Sequence, residues 1–235
     1  MKIAILTSLF GSKGNLRSLT EEELGYKSFD LGYFAFVDRV HEAAEGWKQV
    51  VGPQYSFDKV YPHRRNHKMY KMLPHLFIPE EYDTYVWLDS CQSLKTNPRQ
   101  ICKEYLRDND IAVFDHPYRN CAYAEAVVCA QSQIEITKYV QDTIDFLQSD
   151  GYPQNNGLYE MSCFIRKNNK VTQELGYRWF ELMCRFSSRD QITFPYVLHK
   201  LKNELKISIL PGYIHHPDGN QFFLKVEEPE LIKKY

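Results

Sequence analysis

Carboxylates released at the ends of apolar runs are the residues of this chain whose type and setting suit chemistry. Tyr85, Val86, Trp87 and Leu88 lead straight into Asp89, and the run from Tyr33 to Val37 leads into Asp38. A short run with β-branched and aromatic content reads as a buried strand, and open α/β sheets bind ligands at the carboxyl ends of such strands. A carboxylate there can hold a divalent metal or accept hydrogen bonds from a ribose; its plainer use is to cap the next turn. Ile111 to Phe114 forms a third such run, releasing Asp115, His116, Pro117, Tyr118, Arg119 and Asn120. Strands that each deliver polar groups to one edge point to a shared ligand edge.

Cations gather just before the Asp89 strand. Tyr61 to Met72 carries Arg64, Arg65, Lys68 and Lys71 on a short helix that Pro74 ends. Such a helix can neutralise a diphosphate, with arginine giving bidentate contacts; a charge run alone more often marks a solvated face. Further on, Arg189, Asp190 and Gln191 open a helix whose natural caps are Ser187 or Ser188. Asp190 then has a plain role as complement to the helix dipole. His215 and His216, in a glycine-bounded loop, can supply a late metal ligand or simply lie at the surface.

The elements that must position these groups follow from periodicity and punctuation. Strands are expected at residues 2–9, 33–38, 47–51 (an edge), 85–88, 110–114, 158–165 and 206–210. Helices are expected at 61–72, from Asn97 and Pro98 to Arg107, continuously from Ala122 to Leu147, from Asn169 to Cys184, and on to Leu201. Gln92 to Asn97 reads as a polar loop. Gly11 to Asn15 has residues that suit a phosphate, but not the spacing of a P-loop or a dinucleotide fingerprint. The class is α/β, a mixed but mostly parallel sheet flanked by helices, in one domain.

Totals narrow the function classes. A net charge of −1 over 235 residues gives no field that calls for nucleic acid or an anionic membrane. Seventeen tyrosines and fourteen phenylalanines favour a ring-shaped polar ligand. The six cysteines form no CxxC pair or zinc spacing, which fits reduced thiols. Neither a signal peptide nor a transmembrane run is apparent. The expectation is a cytoplasmic protein, with peripheral membrane contact left open.

The ordered motifs resemble a GT-A-type nucleotide-sugar glycosyltransferase. They are Lys71 to His75, Tyr82 to Ser90, Asp115 to Cys121 with Glu125, and Ser188 to Tyr196. More narrowly, the chain resembles a glycosyltransferase-like family first catalogued as a domain of unknown function, found in plant cell-wall and mucilage proteins and in bacterial polysaccharide clusters. The resemblance implies a Rossmann-like nucleotide-sugar half (1–115) and an acceptor-side half (116–235). It also implies a hexosyl- or pentosyltransferase that moves sugar from a nucleoside-diphosphate donor to a glycan or polysaccharide.

Roles follow from the resemblance residue by residue. Asp89 holds Mn2+ or Mg2+ at the donor diphosphate, with His215 or His216 as a later ligand. Asp38 faces the base or ribose. Arg65, Lys68 and Lys71 lie near the diphosphate or donor sugar, while His116, Arg119, Glu125 and Gln191 line the sugar side. Asp190 meets the reacting sugar or the acceptor hydroxyl as a candidate general base. One departure stands out: Cys91 occupies the place of the usual second metal carboxylate, and a thiolate suits Mg2+ or Mn2+ poorly. Two other readings remain beside this one, a sugar nucleotidyltransferase and a catalytically degenerate carbohydrate-binding protein.

Overall fold

The computed structural model describes residues 1–11, 14–56, 60–214 and 219–225. In chain order the elements are β1 (Ile3–Leu9), α1 (Glu21–Gly25), β2 (Leu31–Val37), β3 (Lys48–Val51), α2 (Pro62–Met72), a 3-10 turn (Pro74–Leu76), β4 (Thr84–Leu88) and β5 (Gln92–Leu94). They continue with α3 (Pro98–Tyr105), β6 (Ile111–Asp115), α4 (Ala122–Gln131), α5 (Thr137–Ser149), β7 (Tyr159–Lys167), α6 (Lys170–Arg185), α7 (Asp190–Lys200), β8 (Ile207–Leu210) and β9 (Phe223–Lys225).

Seven strands form one sheet in the order β3-β2-β1-β4-β7-β6-β8. β1 pairs parallel with β2 and β4, β2 with β3, and β6 with β8; β7 alone runs antiparallel, against β4 and β6. This is the expected mixed, mostly parallel α/β sheet. Because β7 threads between β4 and β6, the two halves of the sequence share one sheet. The carboxyl ends of β1, β2, β4 and β6 and the start of β7 therefore meet along one edge.

Strand residues alternate between two buried layers. Leu6, Phe36, Tyr85, Trp87, Val113 and Phe164 face the layer containing Tyr70, Ala126, Trp179 and Phe194 of α2, α4, α6 and α7. Ile3, Ile5, Val37, Val86, Leu88 and Phe114 face the layer containing Ile101 and Cys102 of α3. With both faces covered, the strands tolerate continuous apolar sequence, as parallel strands do. Helix starts follow local chemistry: Asn97 caps α3 before Pro98, and Asn169 and Thr172 make a reciprocal capping box on α6.

Three expectations are corrected. The continuous helix from Ala122 to Leu147 is two helices, broken where Gln133 takes a left-handed φ of 55°. Beyond that break Glu135 turns inward and accepts from the hydroxyls of Ser187 (3.0 Å) and Ser188 (2.6 Å), a long-range pairing that propensity does not encode. Those serines thus serve Glu135, and α7 is capped by Arg189 without a side-chain cap bond. Gln92–Leu94 is not a loop: it pairs antiparallel with Phe223–Lys225, and buried Glu23, doubly bonded by Arg17, accepts from the Leu94 amide at 3.0 Å.

α2 and α6 touch closely at Gly176, where a Cβ would lie 2.2 Å from the Met72 carbonyl oxygen. Gly176→Val is expected to lower stability by about 1–3 kcal/mol in urea unfolding. Gly25→Ala, whose Cβ meets nothing within 4 Å, should leave the midpoint nearly unchanged.

Candidate functional site

The site is built on α2. Lys68 and Lys71 are three residues apart and so project from one face of the helix. Both reach the same oxygen of Asp190 at the start of α7, Lys68 at 2.5 Å and Lys71 at 2.6 Å. Lys71 also lies 3.6 Å from Asp89 Oδ1. The side chains of Lys71 and Asp190 are 2% and 6% exposed, whereas Asp89 is 37% exposed. Asp89 is therefore the member of this cluster that meets solvent, and the other three stand behind it.

Electrostatics follow from that burial. Burial alone would raise the Asp190 carboxyl, but Lys68 and Lys71, helped by Arg189, hold it well below the usual carboxylate range. Burial brings Lys68 down to about 8, Asp190 opposing and Lys71 assisting. Burial would lower Lys71 too, yet Asp190 and Asp89 together outweigh it and raise that ammonium. The two lysines thus move in opposite directions although they share one partner; Lys71 lies 3.6 Å from Asp89, whose pull on Lys68 ranks behind the repulsion from Lys71. A carboxylate this stabilised and this enclosed is a weak acceptor for a hydroxyl proton.

The ends of α2 and α7 are fixed from behind. Arg166 on β7, fully buried and without a carboxylate partner among the described residues, donates to the Met72 carbonyl at 2.7 Å and to that of Lys71 at 3.3 Å, satisfying carbonyls at the end of α2. Trp179 donates to the Asp190 carbonyl at 3.1 Å. Trp87 donates its indole N–H to Asp89 Oδ1 at 2.8 Å, and the Asp89 amide donates to Ser162 of β7 at 2.8 Å.

A second group sits where β6 ends. His116 Nδ1 accepts from the amides of Tyr118 (3.3 Å) and Arg119 (3.1 Å), which shapes the turn. Arg119 reaches Glu125 Oε2 at 2.7 Å, and His116 Nε2 lies 3.9 Å from the same oxygen. The Cys129 thiol donates to Glu125 Oε1 at 3.4 Å and also lies against Arg189, while burial pushes that thiol up to about 11. Arg189 in turn donates to Gln191 at 2.9 Å. The chain of contacts thus runs from Arg119 through Glu125, Cys129 and Arg189 to the adjacent Asp190, and from there through Lys71 to Asp89.

The remaining expected residues fall elsewhere. Asp38 accepts from the Gly11 amide at 2.6 Å and lies 3.4 Å from Arg39, tying the loop after β1 to the end of β2. Gly11 holds a left-handed φ of 61° there, and a Cβ would strike the His63 ring. Arg65 is not in the lysine cluster; it donates to carbonyls of Met183 and of Phe186 (2.8 Å) at the end of α6. His215 and His216 lie outside the described residues. A cleft of about 280 Å3 between α5, α6 and α7, lined by Phe146, Arg185, Tyr196 and Lys200 among others, contains none of the clustered residues.

Trp87, Cys129, Glu135 and Arg166 were not anticipated. Trp87 had a signal, since residues two apart on a strand share a face and Asp89 is two residues on. Cys129 had one too, since Glu125 lies four residues back on the same helix; nothing local marks Glu135 and Arg166, whose partners lie far away in sequence. Among the described residues no group of three His, Cys, Asp or Glu side chains is placed to hold a metal ion.

Comparison with known proteins agrees with this architecture. The mouse xyloside xylosyltransferase 1 structure aligns with a TM-score of 0.50 and 10% identity, over 90% of this chain and 86% of that one. The bifunctional glycosyltransferase WbbM aligns with a TM-score of 0.53 and 11% identity, over 94% of this chain and 41% of that one. At these identities the likeness speaks for the fold, which is GT-A-like. The probable hexosyltransferase MUCI70 of Arabidopsis thaliana is 31% identical over 153 residues, spanning 59% of this chain and a quarter (25%) of its own length. The family model described as TOD1/MUCI70, glycosyltransferase-like domain, matches residues 7–213, and the chain belongs to that family.

Proposed function

We propose that this chain transfers a hexosyl or pentosyl unit from a nucleoside-diphosphate sugar to a glycan or polysaccharide acceptor. The observation that carries the reading is the Asp89–Lys71–Asp190–Lys68 cluster at the sheet's ligand edge, in a chain of this family. In the reaction, the acceptor oxygen bonds to the anomeric carbon while the bond from that carbon to the diphosphate oxygen breaks. The diphosphate keeps the electron pair, and the acceptor hydroxyl's proton passes to water or to the departing diphosphate. Positive charge grows on the sugar ring and negative charge on the leaving group, so preorganised charge at this edge lowers the barrier.

Two lysines against two carboxylates leave the cluster near neutral, so by itself it is a poor match for a diphosphate. A divalent ion resolves this. Mg2+ and Mn2+ are commonly held by one or two carboxylates with substrate phosphates and water completing the shell, and one solvent-facing carboxylate, Asp89, fits that mode. Cys91 adds no hard ligand, and His215 or His216 stays in the proposal as a later one. When bound, the ion supplies positive charge to the departing diphosphate. Arg119, held by Glu125, and His116 serve the sugar side with Gln191, and Asp38 serves the nucleoside side. Asp190 positions Lys68 and Lys71 rather than taking the acceptor's proton, because its carboxylate is buried and already neutralised.

The decisive experiment offers UDP- and GDP-sugars with Mn2+ and follows the release of free nucleoside diphosphate. Release supports glycosyl transfer, consumption of added pyrophosphate to give nucleoside triphosphate and sugar 1-phosphate supports a nucleotidyltransferase, and binding without turnover supports a degenerate binding protein. Asp89→Ala should lower kcat/KM by on the order of 10²-fold or more with the fold intact, and EDTA should abolish wild-type release. Activity that survives both changes removes Asp89 and the metal from the reading.

Asp190→Asn leaves two ammonium groups buried without their shared anion. It is expected to cost about 3–5 kcal/mol at neutral pH. Because Asp190 has a depressed folded pKa, its contribution is present above the unfolded carboxylate value and fades as pH falls below about 4. Urea unfolding of both proteins from pH 7 to pH 3 should show the gap narrowing; a constant gap would mean that Asp190 does not carry the charge of the cluster.

A further inference from the structure

We infer that Trp87 is the positioning residue of the ligand edge, fixing Asp89 and Lys71 relative to each other through the two sides of one indole. Its N–H donates to Asp89 Oδ1 at 2.8 Å, and the Lys71 ammonium lies 5.6 Å from the centroid of its ring. The ring itself is held in the layer beneath α2, only 2% exposed. A rigid, two-torsion side chain thus grips an acid just past the end of β4 and a cation on α2 at once.

The plain alternative is that Trp87 is a core aromatic whose N–H takes whichever acceptor is near. The other two tryptophans behave in that way: Trp47 donates to the Arg17 carbonyl at 2.9 Å and Trp179 to the Asp190 carbonyl at 3.1 Å. Trp87 instead donates to a side-chain carboxylate that is 37% exposed. The Asp89 side chain is open to water, so the bond is not needed to rescue a buried carboxylate. Its consequence is orientation. Oδ1 is engaged by the indole and faces Lys71, which leaves Oδ2 as the oxygen without a protein partner among the described residues. Trp87 therefore selects which carboxylate oxygen is presented to a ligand, as an outer-sphere partner does for a metal-ligating carboxylate.

This deepens the functional reading above and rests on Asp89 as the ligand-facing acid. The test has one arm without ligand and one with it. In the ligand-free protein, the indole N–H resonance that disappears in Trp87→Phe should shift in Asp89→Ala; a resonance that stays put overturns the assignment. In the second arm, calorimetry reads the affinity for UDP or GDP with Mn2+. Trp87→Phe keeps a ring face for Lys71 but lacks the donor, and should weaken binding by about 10–100-fold. Placed on Asp89→Ala it should add no more than about twofold.

Affinity of Trp87→Phe equal to wild type, or losses that multiply in the double variant, overturns the proposal. A role in packing alone lowers the urea midpoint in both backgrounds equally and produces no such coupling. Failure of the wild type to bind either diphosphate, with the resonance still shifting, overturns a UDP- or GDP-sugar as the donor and leaves the Trp87 assignment standing.

Discussion

Asp190 neutralises Lys68 and Lys71 inside the protein, and the arrangement of the ligand edge depends on that one carboxylate. A buried ammonium without a partner costs several kcal/mol, so two of them on one helix face require an anion delivered from elsewhere. The start of α7 delivers it, 119 residues away in sequence from Lys71. Once the three charges are joined, α2, α7 and the end of β4 are no longer independent. Asp89 can then stand at the solvent boundary with Lys71 beside it.

Much of the surrounding structure serves to place those two helix segments. Arg166 holds the carboxyl end of α2, and Gly176 lets α6 approach it. Glu135 binds Ser187 and Ser188 immediately before α7, and Trp179 takes the Asp190 carbonyl. Arg65 donates to the carbonyls at the end of α6. These contacts are buried and polar, and each satisfies groups that would be costly to leave unpaired. Several members of the sequence's basic helix are accordingly structural, and the solvent-facing groups are fewer than the charge run suggests.

The same economy of exposed charge bears on chemistry. Asp89 and Arg119 are the more exposed side chains of their clusters, at 37% and 28%, while Lys71 and Glu125 stand behind them at 2% and 5%. The protein charges at this edge are nearly balanced. In the proposed reaction that balance favours a divalent ion beside Asp89, where the orientation of a single carboxylate matters.

The strand-end carboxylates Asp38 and Asp89, the basic helix and the α/β class were legible because each rests on local pattern: apolar runs, a proline stop, a three-residue spacing. The family motifs added the order of the segments. Illegible were the break at Gln133, which lets Glu135 turn inward, and the pairing of β5 with β9, the Glu135–serine lock and the neutralisation of Asp190, each of which joins residues far apart in sequence. The sequence by itself determined which groups stand at the sheet edge, because strand period and helix spacing are set by the backbone. Only the tertiary structure decided which of them are buried partners and which face solvent, because burial and charge pairing depend on neighbours that arrive from distant parts of the chain.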